Sequence, residues 1–185
     1  AALAKHHGLV PQRFVLVDEW IGKRSAVDPE VALAMLARRY LAGHGPATAR
    51  DLANWSGMTL GQARAGLKTI ASEVEVSSGG QVKLKRSTSS GELPPPRLLG
   101  PFDPVLHGWK SREFLIPNER ERSVVTTNGL FRPAILVKGQ VAGIWRMAGG
   151  EVELEPFRKF TAGVRKALDA EVDDIKRFVN PHPQG

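Results

Sequence analysis

Seven side chains between Arg50 and Arg86 bring the first usable chemistry in this 185-residue chain: Arg50, Gln62, Arg64 and Lys68, then Lys83, Lys85 and Arg86. Guanidinium and ammonium groups suit phosphate oxygens, and an amide among them can read a base edge. Residues 31–86 hold eight Lys/Arg against three Asp/Glu, a net of +5 in a chain whose total is +7. The excess is therefore localised, which points to an acidic polymer as partner. The plain alternative is a solvated helix face on a protein-binding module. A membrane surface attracts the same charge, but no stretch pairs a basic helical face with exposed bulky apolar residues.

Hydrolytic chemistry has fewer candidates. Asp103, within Phe102-Asp103-Pro104, is the one acid in an apolar, turn-rich setting. A carboxylate there could orient water beside a sugar. Asp before Pro also anchors turns through its own side chain, and this structural reading takes precedence. His44 and His107 stand beside glycines, with no carboxylate or serine at a telling spacing. His6 and His7 are adjacent and so point to different faces, which suits a polar loop better than a metal site. With no cysteine, disulfides, thiolate catalysis and Cys-based zinc sites are excluded. No catalytic residue, metal or organic cofactor is assigned.

The basic residues need elements to hold them, and Asp28 to Arg86 supplies these as a winged helix-turn-helix. Asp28 caps a first helix from Pro29 to Ala42, with Leu33, Leu36, Ala37, Tyr40 and Leu41 at helical spacing. Gly43-His44-Gly45-Pro46 stops it. Thr48 opens a second helix with Asp51 as its reciprocal cap, turning Ala49, Leu52 and Trp55 inward. After Ser56-Gly57-Met58, Thr59 and Gln62 cap a third helix in the same way. Its buried stripe is Leu60, Ala63, Leu67 and Ile70, so Gly61, Gln62, Arg64, Ala65 and Lys68 face out. Residues 73–76 and 81–85 then alternate around Ser77-Ser78-Gly79-Gly80 as a hairpin. The third helix is sized for a major groove.

On either side the character changes. Phe14 to Val17 reads as a strand, either an accessory to the helical unit after it or the tail of a preceding module; residues 1–27 are grouped on that basis. Residues 87–97, ending in Pro94-Pro95-Pro96-Arg97, read as a linker. From residue 98 to 157 the charges balance at seven against seven. Ile135–Val137, Gln140–Met147 and Glu151–Glu155 form an expected three-stranded meander, with Ser123–Thr127 as a further strand of a small antiparallel β-barrel-like unit. Val152 and Leu154 face in, whereas Glu151, Glu153 and Glu155 make an acidic outer side unsuited to phosphates. A closing helix from Thr161 to Val179 carries Val164, Leu168, Val172, Ile175 and Phe178 as its apolar stripe and covers the sheet. The fold class expected is α+β, with residues 98–185 as the C-terminal unit. Lys110, Arg112 and Arg132 either extend the basic track or pair with Glu113, Glu119 and Glu121. No run is long enough to span a membrane and no secretory signal is evident, so a cytoplasmic protein is expected.

Several runs resemble a known family: Leu98-Leu99-Gly100-Pro101-Phe102-Asp103-Pro104-Val105-Leu106, Gly108-Trp109-Lys110-Ser111-Arg112, Asn128-Gly129-Leu130-Phe131-Arg132-Pro133, and Val137 to Trp145. With Gly45 to Gly57 upstream, they are similar to the C-terminal half of the winged helix DNA-binding proteins that include the AlkZ-like DNA glycosylases. The resemblance implies double-stranded DNA as partner, tandem winged helices with a β-barrel-like unit around it, and no metal or organic cofactor. It also implies cleavage of the N-glycosidic bond of alkylated or cross-linked bases by a Gln-Xaa-Gln or Gln-Xaa-Asp pair. This chain lacks that pair: none of Gln12, Gln62, Gln81, Gln140 and Gln184 is followed two residues later by Gln or Asp. Two readings remain, the C-terminal part of a longer glycosylase or a non-catalytic transcription regulator.

Overall fold

The structure, a computed structural model, describes residues 15–22, 26–86 and 91–179. His6-His7 and Phe14, the first residue of the expected strand, lie outside them. Val15 and Leu16 do not form a strand; Val17–Ile21 is a short helix, α1. Its amides at Glu19 and Trp20 donate to the Leu16 carbonyl, so a stretch with no partner strand satisfies its backbone locally.

Three helices follow. Asp28 accepts from the amides of Glu30 and Val31 to cap α2, Pro29–His44, which runs two residues beyond its expected end before a cis Gly45-Pro46 bond. Helices α3, Ala49–Ser56, and α4, Leu60–Thr69, open on the two expected capping boxes, Thr48 with Asp51 and Thr59 with Gln62. Ala37, Tyr40, Leu52, Ala63 and Ile70 meet in one core, where each large aliphatic side chain fully removed from water contributes about 1.5–3 kcal/mol. Gly66 lets α4 approach α2 closely, since a Cβ there would stand 2.7 Å from the Leu33 carbonyl oxygen. Trp55 is not turned inward as expected: it is 39% exposed at the edge of this core.

A 3-10 turn, Ala71–Glu73, leads into the hairpin of β1, Val74–Val76, and β2, Val82–Leu84. Val74 opposes Leu84 and Val76 opposes Val82. A single bridge joins Val82 to Ala47, between α2 and α3, so the hairpin is stitched back onto the helices.

The second core belongs to an open antiparallel sheet in the order β3-β4-β5-β6: Arg97–Leu99, Ala134–Val137, Gln140–Ala148 and Glu151–Pro156. Arg97, expected in a linker, is thus the first residue of a strand. The meander is where the alternation placed it, but the sheet closes into no barrel. Ser123–Thr127 is not a strand either. Glu121–Val124 is a helical turn, α6, that buries Val124, and only Val125 bridges Phe131. Between β3 and α6 lie the short helix α5, Pro104–His107, and a 3-10 turn, Asn118–Arg120. The closing helix α7, Ala162–Val179, buries Leu168 and is held to the sheet by Arg97–Glu171 and Lys176–Glu151 ion pairs. Phe178, at the end of its stripe, is 86% exposed. Among the described residues no helix is long and apolar enough to cross a membrane.

Candidate nucleic-acid interface

The outer face of α4 is as its stripe dictates: Gly61, Gln62, Arg64, Ala65 and Lys68 are all exposed. Gln62 is partly committed. Its Oε1 accepts from the Thr59 amide at 3.0 Å and from the Thr59 hydroxyl at 3.0 Å, leaving the amide nitrogen as its outward donor. Among the described residues neither Arg64 nor Lys68 has a carboxylate within ion-pair distance, and Lys68 lines a groove with Glu30, Ala65 and Thr69.

The hairpin differs from expectation in how its cations are used. Lys83 faces Glu75 across the strands at 3.1 Å, and the Lys85 ammonium donates to the Ser72 carbonyl at 2.8 Å. Among the described residues Arg86 alone of the three keeps an unpaired side chain, beside Lys85 in a cavity that also takes Arg38 and Glu73. The sequence pattern does not single out Arg38. Its guanidinium donates twice to Glu73, at 2.7 and 2.6 Å, tying α2 to the base of the hairpin. That bidentate pair raises the Arg38 pKa and lowers the Glu73 carboxyl. Both partners are well exposed, so its main effect is positional. The tip, Ser77 to Gly80, carries no charge.

Arg50 stands apart from this group, in the first turn of α3 and without an ion pair among the described residues. Lys110 comes near it, because its amide donates to Asp51 Oδ1 at 2.9 Å while Asp51 Oδ2 accepts from the Thr48 amide at 2.8 Å. One carboxylate thereby caps α3 and pins the segment after α5. Arg132 is exposed, and among the described residues it too has no ion pair. Arg112 does not extend the track. Its Nε donates to the Leu106 carbonyl at 2.7 Å, its side chain is 17% exposed with Glu121 at 3.7 Å, and its guanidinium lies 4.9 Å from the Phe131 ring centre. It pairs with Glu121, the bland alternative of the two its sequence allowed.

Asp103 caps α5 by accepting from the Val105 amide at 2.9 Å, a structural task. Phe102, at φ 58°, places its ring against His107, which in turn lies 3.9 Å from Phe131. Burial first, then Arg112, depress the His107 pKa, and Asp103 opposes them weakly. His44 sits among Tyr40, Trp55 and Trp109. Among the described residues, no group of three or more His, Asp or Glu stands ready to hold a metal ion.

Three helices with an exposed, unpaired basic face, stitched to a hairpin and followed by an open antiparallel sheet, define an α+β protein of the DNA-repair glycosylase kind. The DNA glycosylase AlkZ-like family matches residues 2–178, and the chain belongs to that family. In fold it is similar to the Streptomyces sahachiroi DNA glycosylase AlkZ, with a TM-score of 0.73 at 23% identity, over 85% of this chain and 45% of that one. The chain thus spans less than half of that protein's length. No curated protein matches its sequence.

Proposed function

We propose that residues 28–86 act as a winged helix-turn-helix that grips duplex DNA, within a glycosylase-like repair protein whose residues 98–185 form the β-rich C-terminal unit. The observation that carries this reading is the outer face of α4, where Arg64 and Lys68 stand exposed and unpaired beside the Gln62 amide. Arg50 and Arg86 add two more uncommitted guanidinium groups, whereas Lys83 and Lys85 are already partnered. Lys110 and Arg132 flank the track as further exposed cations. Hydrolysis of an N-glycosidic bond is proposed only for a protein that adds the glutamine pair to these residues, since among the described residues no side chain is placed to activate water for it. A cytoplasmic location fits that role.

The test is binding of a fluorescently labelled duplex, followed by anisotropy. With four phosphate contacts, affinity falls about 10²-fold between about 50 and 200 mM salt. Charge reversal by Arg64→Glu with Lys68→Glu removes most of that dependence. An affinity flat across the salt range, or retention by the reversed variant, refutes the reading and leaves a protein-interaction module. Strong preference for one undamaged sequence would instead favour the transcription regulator.

A further inference from the structure

We propose that a groove on the sheet side of the molecule is a second phosphate-binding surface, taking the backbone of the same duplex; the proposal rests on the DNA-binding reading above. The groove, of about 440 Å³, lies between the Asn118–Arg120 turn, the β4–β5 turn and residues 157–160. Arg120, Lys138, Arg158 and Lys159 line it, with Glu119 as the one carboxylate. These four come from three segments far apart in sequence, and the fold converges them on one opening.

Their lack of partners is what separates them from the other cations of this region. Arg97, Arg112, Arg146 and Lys176 each have a carboxylate within 4.0 Å. Among the described residues, none of the four groove cations does. Self-repulsion between uncompensated cations around one opening is relieved by an anion, and a polyanion relieves it at several points together. Two of the four are also held in position. The Arg120 guanidinium lies 5.2 Å from the Phe157 ring centre, an attraction that orders it without neutralising it. Lys138 occupies the first turn position between β4 and β5 at φ 51°, with Gly139 at 76°. Asn, Asp or Gly adopts that left-handed conformation more readily than lysine. The turn therefore presents an ammonium at the groove's rim in a conformation its backbone disfavours, and such outliers point toward function.

The acidic outer side of β6 does not oppose this. Glu153 and Glu155 lie against Arg146, and Glu151 against Lys176, so much of that charge is neutralised within the sheet and closing helix. The shared chemistry of the groove is that of phosphate oxygens, and a strand of DNA is favoured over a free anion because the cations are spread along an open groove instead of enclosing one point.

The experiment compares the 185-residue chain with Lys138→Asn plus Lys159→Gln, binding a fluorescein-labelled duplex across a salt series. Asn suits the left-handed turn, so the variant keeps its fold, which a thermal melt checks. The expected result is a salt slope shallower by about 1.8 and affinity at 0.1 M salt lower by about tenfold or more. An unchanged slope and affinity in the folded variant overturns the proposal. If Arg64→Glu with Lys68→Glu abolishes binding while the groove variant binds normally, the helix reading stands and this one falls; with the converse result the groove stands and the helix reading falls. Inorganic phosphate that displaces duplex from the parent chain better than chloride of equal ionic strength, but not from the variant, marks a small-anion pocket and also overturns it.

Discussion

The Tyr40 hydroxyl donates to the Gly108 carbonyl at 2.6 Å, joining the core of the three helices to the segment that comes after α5. Around this bond the His44 ring stacks on Tyr40, with ring centres 5.0 Å apart, and meets Trp109 edge-on at 5.3 Å. Gly108 is buried against that ring: a Cβ there would stand 2.2 Å from His44 Cδ2. Burial, and after it the Asp51 carboxylate, raises the Tyr40 pKa well above a phenol's usual range, so the hydroxyl stays a donor. The junction fixes the basic face of α4 relative to the sheet, which any duplex touching both sides requires.

This junction predicts a non-additive pair. Gly108→Ala overpacks against His44 and costs about 1–3 kcal/mol, read as a lower urea midpoint at unchanged slope. Adding His44→Ala vacates the space the new methyl needs, so the double variant is more stable than the sum of its parts requires. Strict additivity would show that the two residues do not press on each other.

His107 predicts a pH dependence of defined sign. Its folded pKa is depressed, chiefly by burial, below the ordinary value of 6.5. The unfolded chain therefore binds the proton more readily, and stability increases with pH through that window. The contribution is fully present above pH 6.5 and is lost as pH falls through the folded value. An NMR titration of the imidazole should show a midpoint below 6.5, and His107→Phe should flatten the fall in stability between pH 7 and pH 5. A midpoint at or above 6.5 contradicts the burial seen against Phe131.

What can be read from the residues is whatever is decided locally. Thr48 with Asp51 and Thr59 with Gln62 announce their helices because both members of each capping box lie within one turn, and the alternation of Val152 and Leu154 places β6 for the same reason. The Val15–Val17 run misleads because β-branched residues favour a strand only when another strand is beside them. Val124 misleads similarly: its burial is real, but it comes from a helical turn packed under the sheet. The basic set is legible as composition and not as commitment. That Lys83, Lys85 and Arg112 are spoken for by Glu75, Ser72 and Leu106 depends on contacts formed only in the fold, as does the convergence of Arg120, Lys138, Arg158 and Lys159.

Arg112 and Arg64 make that distinction measurable, since sequence alone ranks them as equivalent cations. Arg112→Ala strips the Leu106 carbonyl of its guanidinium donor and uncovers Phe131. Losing such a bond costs about 1–3 kcal/mol, visible as a lower melting temperature. Duplex affinity, compared where both proteins are fully folded, should keep the parent's salt slope, because that guanidinium touches no phosphate. Arg64→Ala should do the opposite. An exposed side chain without a partner leaves stability within about 0.5 kcal/mol, while the salt slope becomes shallower by about 0.9. Should Arg112→Ala flatten the slope without destabilising, its inward contacts would not persist in solution, and the division drawn between committed and free cations would have to be redrawn with Arg112 on the DNA side.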